Sequence, residues 1–545
     1  MPILLAASLQ SAGIRRWPFL AGLASPLPYI AIALSALLWP VVTVHLPPLL
    51  DYPNHMARLW LLAGGMAQAP LDTIYAVDWA GASTNIGPDL VAAIAGWLHP
   101  GTEIGPTLLA AAVMLPPLGA VLLNRTVFGG WHWWQIGFAV LAWNTTLLAG
   151  FLGFQVGLGL ALVAAGLDPW ITRRAAPVPI FAARAALGCG LLVFHIFAAG
   201  FYAALLAGLA FGAKCPSSAR VGLWRRPLQR AALATGAGLI VPLLLLFVLA
   251  PTLPGTTAPS DVFGWGGYTI VDKANTIATA IATYDIRIDL ACALLLWLAA
   301  RAFCTLEVHS GLALSAAGLA VLAIVTPSSA AGTAYVDWRL PIMAALTLVA
   351  AIRPSISFHS ATFILPTLLL CITVSRTAWI TSIWQNRQTD VAAVEDVLSL
   401  VPAGAKVLPA QHDARVNLPV GRLLIDGTPT YLHLASAAVY RQRAFIPTLF
   451  TTAGKQPLIV QAPYKALSVP EGVPAPVWTL SSYNSSPRAD YIVGYVRNWR
   501  SDFDFLLVLN ADVPDDHDER AIQDLRLIAD RGFARLYAIR HTNRE

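Results

Sequence analysis

The sequence predicts an α-helical polytopic membrane protein of about eleven spans with a C-terminal α/β domain on its outer face. Three observations predict it. Hydrophobic residues fill 57% of the 545 positions and charged residues only 12%, with mean hydropathy +0.63, whereas a soluble domain carries about twice that charge. Apolar runs long enough to cross a bilayer recur from Phe19 to about residue 379. Beyond residue 380 those runs stop, and short strand-like and helix-like patterns alternate. The implied division is 1–380 for the transmembrane domain, including an outer loop at 45–101, and 381–545 for a soluble domain. The net charge of +6 does not point to nucleic acid, because in a membrane chain the placement of basic residues outweighs their sum. The five cysteines include no CxxC pair, which argues against a disulfide framework and a thiolate metal site.

The first run, about Phe19 to Val44, follows Arg15 and Arg16 as a signal peptide would. It is long enough to span and lacks a small-residue cleavage site, so it reads as a retained helix with its amino end inside. Further spans fit near 103–123, 132–149, 151–170, 179–194, 196–213, 231–251, 286–303, 309–327, 338–352 and 358–379. Dividing 179–213 into two short helices that turn at His195 gathers Arg125, Arg173, Arg174, Arg184, the Lys214 to Arg230 cluster, Arg301 and Arg353 on the inner side. The outer side then holds the Asp51 loop, the stretch from Pro251 to Asp285, the Tyr335 to Arg339 segment and everything after Thr381.

The outer loop is too long for a simple connection. It opens with Asp51-Tyr52-Pro53-Asn54-His55-Met56-Ala57-Arg58. Pro53 suits the first turn of a helix, which would put His55 and Arg58 on one face, with Asp51 where helix N–H groups favour an anion. Met56, Leu59, Trp60 and Ala63 recur at helical spacing, as in a helix lying in the interface plane. A second piece, Asn85 to Val91, places Asn85 and Asp89 near the start of another helix. The same residues also describe a span ending in a Pro turn, followed by a helix whose Arg58 reaches lipid headgroups.

In the C-terminal region, Val391–Leu400, Tyr431–Tyr440 and Glu519–Ala529 read as helices, and Ala405–Leu408, Tyr491–Val496, Phe505–Leu509 and Ala534–Ile539 as strands. It holds no GxGxxG, Walker A or HExxH pattern, so nucleotide binding and zinc hydrolysis find no support. His412 and Asp413 follow a strand and read either as site residues or as a solvated pair.

Many spans, an acid just after the first, a long outer loop with interfacial helices and an outer C-terminal domain together resemble the GT-C superfamily of membrane glycosyltransferases. Asp51 to Arg58, Asn85 to Asp89, Gly150-Phe151-Leu152-Gly153-Phe154 and Phe194-His195 are similar to a group of bacterial membrane proteins placed near that superfamily. The resemblance implies a GT-C-like fold in a bacterial inner membrane, with a cytoplasmic amino end and a periplasmic C-terminal domain. It also implies a sugar donor carried on polyprenyl phosphate or diphosphate, and a glycan, lipid or protein acceptor. Asp51 is then the general base of an inverting transfer, since one base suffices when phosphate leaves. No cofactor is expected: Tyr52 stands where many members have a second acid, and a divalent metal lacks support.

Candidate substrate-binding residues are His55, Arg58, Asp89, His195, Lys273, Asp337 and Arg339, with Arg287 as a further cation. Plainer roles stand beside these. Arg339 and Asp337 also suit an ion pair in an aromatic belt, Lys273 and Arg287 headgroup anchors, His195 a turn between helices, and Asp89 a helix cap. Two other classes fit the composition: a transporter or flippase of a lipid-linked or anionic substrate, and a membrane scaffold. No internal repeat supports the transporter, and a scaffold leaves the Asp51 cluster without a purpose.

Overall fold

The computed structural model describes residues 25–212, 225–249, 263–265, 269–302, 304–330, 333–356, 361–414, 417–470, 472–482, 494–513 and 517–541. Five helices among them are long and apolar enough to cross a membrane: Gly105–Phe128, Leu152–Arg174, Pro177–Phe194, Pro227–Val248 and Ile364–Leu398. Shorter apolar helices accompany them at Leu27–Thr43, Ile196–Gly212, Ser310–Val325 and Arg339–Ala351. The amino-terminal part of the first expected span lies outside the described residues. As the sequence predicts, the chain breaks at His195, whose backbone is extended between two helices.

The expected span 132–149 is not one helix. It forms a 3₁₀ segment, Trp133–Ala142, buried against the helices Gly105–Phe128 and Ala361–Leu398, and a single buried α-turn, Thr145–Leu148, beside Leu152–Arg174 and Thr276–Ala280. Asn144 stops the first segment and starts the second. Its amide donates to the carbonyls of Leu141 and Ala142, and its oxygen accepts the Leu147 N–H. The run is apolar because protein surrounds it, and an apolar run reads the same whether protein or lipid is its solvent.

The outer loop folds as two helices, Tyr52–Leu62 and Gly87–Leu98. Arg58 and Asp89 lock them in a bidentate pair, Nε to Oδ1 at 2.8 Å and Nη2 to Oδ2 at 3.2 Å, with both side chains fully buried. Gly96 lets the backbones close, because a Cβ there would stand 2.4 Å from the Ala63 backbone. The opposite face of the second helix leaves Ile94, Trp97 and Leu98 exposed, the surface an interfacial helix presents to lipid.

The C-terminal region is built on a five-stranded sheet in the order Leu525–Asp530, Ala534–Ile539, Phe505–Leu509, Val407–Gln411, Ala475–Pro476. The first two pairings are antiparallel and the last two parallel. Phe505–Leu509 and Ala534–Ile539 are strands as expected, and the strand expected at 405–408 begins two residues later. Three expectations fail. Glu519–Ala529 is a 3₁₀ turn running into an edge strand. Tyr431–Tyr440 yields only Leu434–Ser436 as 3₁₀ and Ala437–Gln442 as helix. Of Tyr491–Val496, the part from 491 to 493 lies outside the described residues, and Gly494–Val496 is a 3₁₀ turn.

Several joints hold this region to the rest, two of them extensive. The helix Ala361–Leu398 runs unbroken through residue 380, and its Asp390 takes a bidentate pair from Arg422, which also grips Asp512. Strand Tyr75–Val77 of the outer loop pairs antiparallel with Leu458–Val460.

Candidate active site

Asp51 is the residue just before the helix Tyr52–Leu62, and its side chain makes no capping bond to that helix. Its backbone is fixed from behind, where the N–H groups of Leu50 and Asp51 donate to the carbonyls of Leu148 and Ala149. Gly150 makes this approach possible. Its φ is +82°, and a Cβ there would lie 2.8 Å from the Asp51 nitrogen. The carboxylate, 19% exposed, faces a cavity of about 530 Å³.

That cavity draws on every part of the chain. Asp51, His55 and Asn85 come from the outer loop, Phe151 and Phe154 from the start of one long helix, and His195 and Phe197 from the helix break. Tyr335 comes from the segment before the helix Arg339–Ala351 and Arg339 from its first position, and His433, Phe450, Lys455 and Gln456 come from the C-terminal region. Asn85 and Tyr335 both take left-handed backbone, at φ +60° and +56°, a conformation that non-glycine residues hold only when their surroundings compel it. The loop carrying Asn85 is tied to the helix break: Thr84 Oγ1 donates to the Leu192 carbonyl at 2.7 Å, and the Ile86 N–H to the Val193 carbonyl at 2.9 Å.

Arg339 Nη1 donates to the carbonyls of Ala334 and Tyr335, both at 2.7 Å, and the guanidinium lies 4.5 Å from the centre of the Phe151 ring. Phe197 and Phe154 add ring faces at 5.5 and 5.9 Å. Carbonyls and π-faces thus help to fix the plane of the cation. His195 Nδ1 accepts the Phe197 N–H at 3.2 Å, which leaves the proton of a neutral ring on Nε2.

Beside Asp51 stand two imidazoles, His55 and His433, both packed edge-on against Phe450 at 5.6 and 4.9 Å. Burial, helped by the charges of Arg58 and His433, holds the His55 ring well below the usual histidine range. Burial likewise pushes His433 down to about 4, so both rings are neutral at pH 7. His433 Nε2 lies 3.7 Å from Asp51 Oδ1.

Of the candidate base and substrate-binding residues, Asp51, His55, His195 and Arg339 meet at this cavity. The others do not line it. Arg58 and Asp89 pair between the two loop helices, and burial pushes the Asp89 carboxyl up in spite of the guanidinium beside it. Asp337 pairs with Lys273 at 2.5 Å instead of with Arg339, and Lys273 also donates to the Thr326 carbonyl. Arg287 is exposed at the start of the helix Ile286–Ala302. His412 is fully buried, 3.0 Å from Glu519, and is neither solvated nor at the cavity. Among the described residues no three His, Cys, Asp or Glu side chains gather as metal ligands would.

Sequence reading missed His433, Phe450, Lys455 and Gln456. Only His433 carried a signal, as an ionisable residue between Leu432 and Leu434. No family model matches the sequence, and no curated protein matches it. Among solved structures the chain is similar to the crystal structure of ArnT from Cupriavidus metallidurans in the apo state. Identity is 11%, coverage 94% of this chain and 97% of that one, and the TM-score 0.48.

Proposed function

We propose that this chain is a GT-C-type membrane glycosyltransferase moving a sugar from a polyprenyl-phosphate or -diphosphate carrier to an acceptor hydroxyl, with Asp51 as general base. One observation carries the reading: a carboxylate and a guanidinium, Asp51 and Arg339, line the same cavity, which is part polar and part aromatic. Transfer needs both. The acceptor oxygen attacks the anomeric carbon while the bond from that carbon to the phosphate oxygen breaks, leaving its electron pair on the phosphate. The acceptor proton passes to Asp51, and the anomeric centre inverts. Arg339 meets the charge that grows on the departing phosphate, and Lys455 supplies a second cation to the lining. His195 serves as a neutral donor to sugar or phosphate oxygens, and His55, whose one proton goes to the Gly150 carbonyl, offers its other nitrogen as an acceptor to a sugar hydroxyl. Phe151, Phe197, Ile196 and Leu246 offer the carrier's first isoprene units an apolar wall.

In this reading the protein sits in a bacterial inner membrane, with the cavity and the region 381–545 on the periplasmic side. Arg58–Asp89 and Lys273–Asp337 act as struts that hold loop and helices in place. Labelled sugar transfer from a polyprenyl-phosphate pool to membrane acceptors tests the reading, comparing purified wild type with Asp51→Asn. Wild type should transfer, and the variant should fold yet lose about 10²–10⁴-fold in rate. Equal transfer by both would reduce Asp51 to a turn residue. Flux of an intact carrier across sealed vesicles without transfer would favour a transporter.

A further inference from the structure

We infer that His433, supplied by the C-terminal region, is a positioning residue that orients the Asp51 carboxylate through its Nε2–H, and that Asn54 fixes the tautomer which makes this possible. The inference rests on Asp51 being the base.

It starts from an amide whose orientation is unambiguous. Asn54 is fully buried. Its Oδ1 accepts the Phe450 N–H at 2.9 Å, and its Nδ2 donates to the Thr448 carbonyl at 2.9 Å. A backbone N–H can only donate and a carbonyl can only accept, so the amide cannot be flipped. The same Nδ2 stands 3.3 Å from His433 Nδ1, and that ring nitrogen must therefore accept. A neutral imidazole with an accepting Nδ1 carries its proton on Nε2. Nε2 is the atom that faces Asp51 Oδ1, at 3.7 Å. Burial keeps the ring neutral, so it offers Asp51 a hydrogen bond and no competing full charge.

The Asp51 backbone is pinned by Leu148 and Ala149. An N–H donor beside Oδ1 restrains rotation of the carboxylate about its side-chain bonds while the acceptor proton goes to the other oxygen. At 3.7 Å the contact is longer than a hydrogen bond, as such contacts often are before substrate closes the site. One consequence is structural: base and cation reside in the membrane region, but the group that aims the base arrives from beyond residue 400.

Substitutions at His433 separate aiming from packing. Gln places an amide N–H near the position of Nε2, Asn places its amide near Nδ1 and reaches only Asn54, and Phe keeps the ring against Phe450. The expected result is that His433→Gln stays within about 5-fold of wild-type kcat, while His433→Asn and His433→Phe fall about 10²-fold with donor KM little changed. In parallel, nitrogen-15 spectra of histidine-labelled protein, with the His433 signal identified by its loss in His433→Gln, should show a neutral ring protonated at Nε2.

If Asp51→Asn is inactive while His433→Asn is as active as His433→Gln, the inference fails and the base reading stands. A ring protonated at Nδ1 also defeats it. If Asp51→Asn still transfers sugar, the base reading falls and takes the inference with it.

Discussion

Gly150 sits 99 positions from Asp51 in sequence but directly behind it in space, and the packing there is closer than any side chain permits. In Gly150→Ala the added Cβ would meet backbone atoms of Asp51 and Tyr52, none of which is the yielding end of a flexible side chain, and φ would remain positive. The expected cost is about 1–3 kcal/mol of stability. Because the strain is relieved by moving Asp51, transfer should fall further than stability suggests, by about 10²-fold. Thermal unfolding and kcat measured on the same preparation check this. Unchanged kcat in a destabilised protein would mean that Gly150 supports the fold without placing the base. Residues at this scale were legible in sequence to the extent that their partners were local. Asp51 and His55 belong to one short motif, and Arg339 and His195 stand out as ionisable groups at helix ends. Arg58, Asp89, Lys273 and Asp337 stand out equally, and nothing in the sequence shows that they cancel in pairs 31 and 64 positions apart.

Between residue and fold lies the edge hairpin Leu525–Asp530 and Ala534–Ile539. Its first half was expected as helix because Glu519 to Ala529 is rich in helix-forming residues. The turn decides otherwise. Asp530 Oδ1 accepts the Gly532 N–H, Gly532 takes φ +69°, and the returning strand is paired on its far side by Phe505–Leu509. Sheet pairing overrides local propensity here, as it does wherever a neighbouring edge is waiting. Glu519 anchors the hairpin from below. It accepts hydrogen bonds from Arg535 Nη1 and the Tyr537 hydroxyl at 2.9 Å, and its other oxygen lies 3.0 Å from His412 Nε2. Burial pushes this carboxyl up, but the bonds from His412, Arg535, the backbone and Tyr537 outweigh it and hold Glu519 at about 2. Its unfolded counterpart titrates near 4.5, so between these values the unfolded chain binds more protons. The stabilisation is complete above about 4.5 and drains away as pH falls toward 2. Glu519→Gln should therefore be less stable than wild type by about 2–3 kcal/mol at pH 7, and the gap should narrow as the pH drops below 4.5. Unfolding midpoints followed by near-ultraviolet circular dichroism from pH 7 to 3 read this directly, and a gap that stays constant with pH would show that Glu519 is held by packing alone.

For the whole molecule, composition alone marked a membrane protein, and the change in pattern near residue 380 marked where the long apolar runs end. What the sequence did not reveal is which residues of the C-terminal part reach the cavity, because hydropathy records what a segment buries and not what it is buried against. The helices nevertheless set a consistent direction. Leu152–Arg174 starts at the cavity and ends in Arg173 and Arg174. Its 23 residues rise about 34 Å at ~1.5 Å each, close to the ~30 Å of a bilayer core. Pro177–Phe194 returns from that basic end to His195 at the cavity, held two turns along by Arg184 on Asp168. Arg339–Ala351 leaves the cavity again and ends beside Arg353, which pairs with Glu307 and donates to the carbonyl of Phe128, near Arg125. Three helices thus run between one face that carries the site and another that collects arginine, and the positive-inside rule predicts that the second faces the cytoplasm. Two exposed positions report the two faces: Ser399 beyond the helix Ala361–Leu398, and Thr126 beside Arg125. In a background with the five native cysteines replaced, a membrane-impermeant maleimide should label Ser399→Cys in spheroplasts and spare Thr126→Cys, with the pattern reversed in inverted vesicles. The opposite pattern would invert the orientation and put the cavity in the cytoplasm, where an outward-facing transfer reaction has no acceptor. Labelling of both positions from one side would mean that these helices do not cross the bilayer at all.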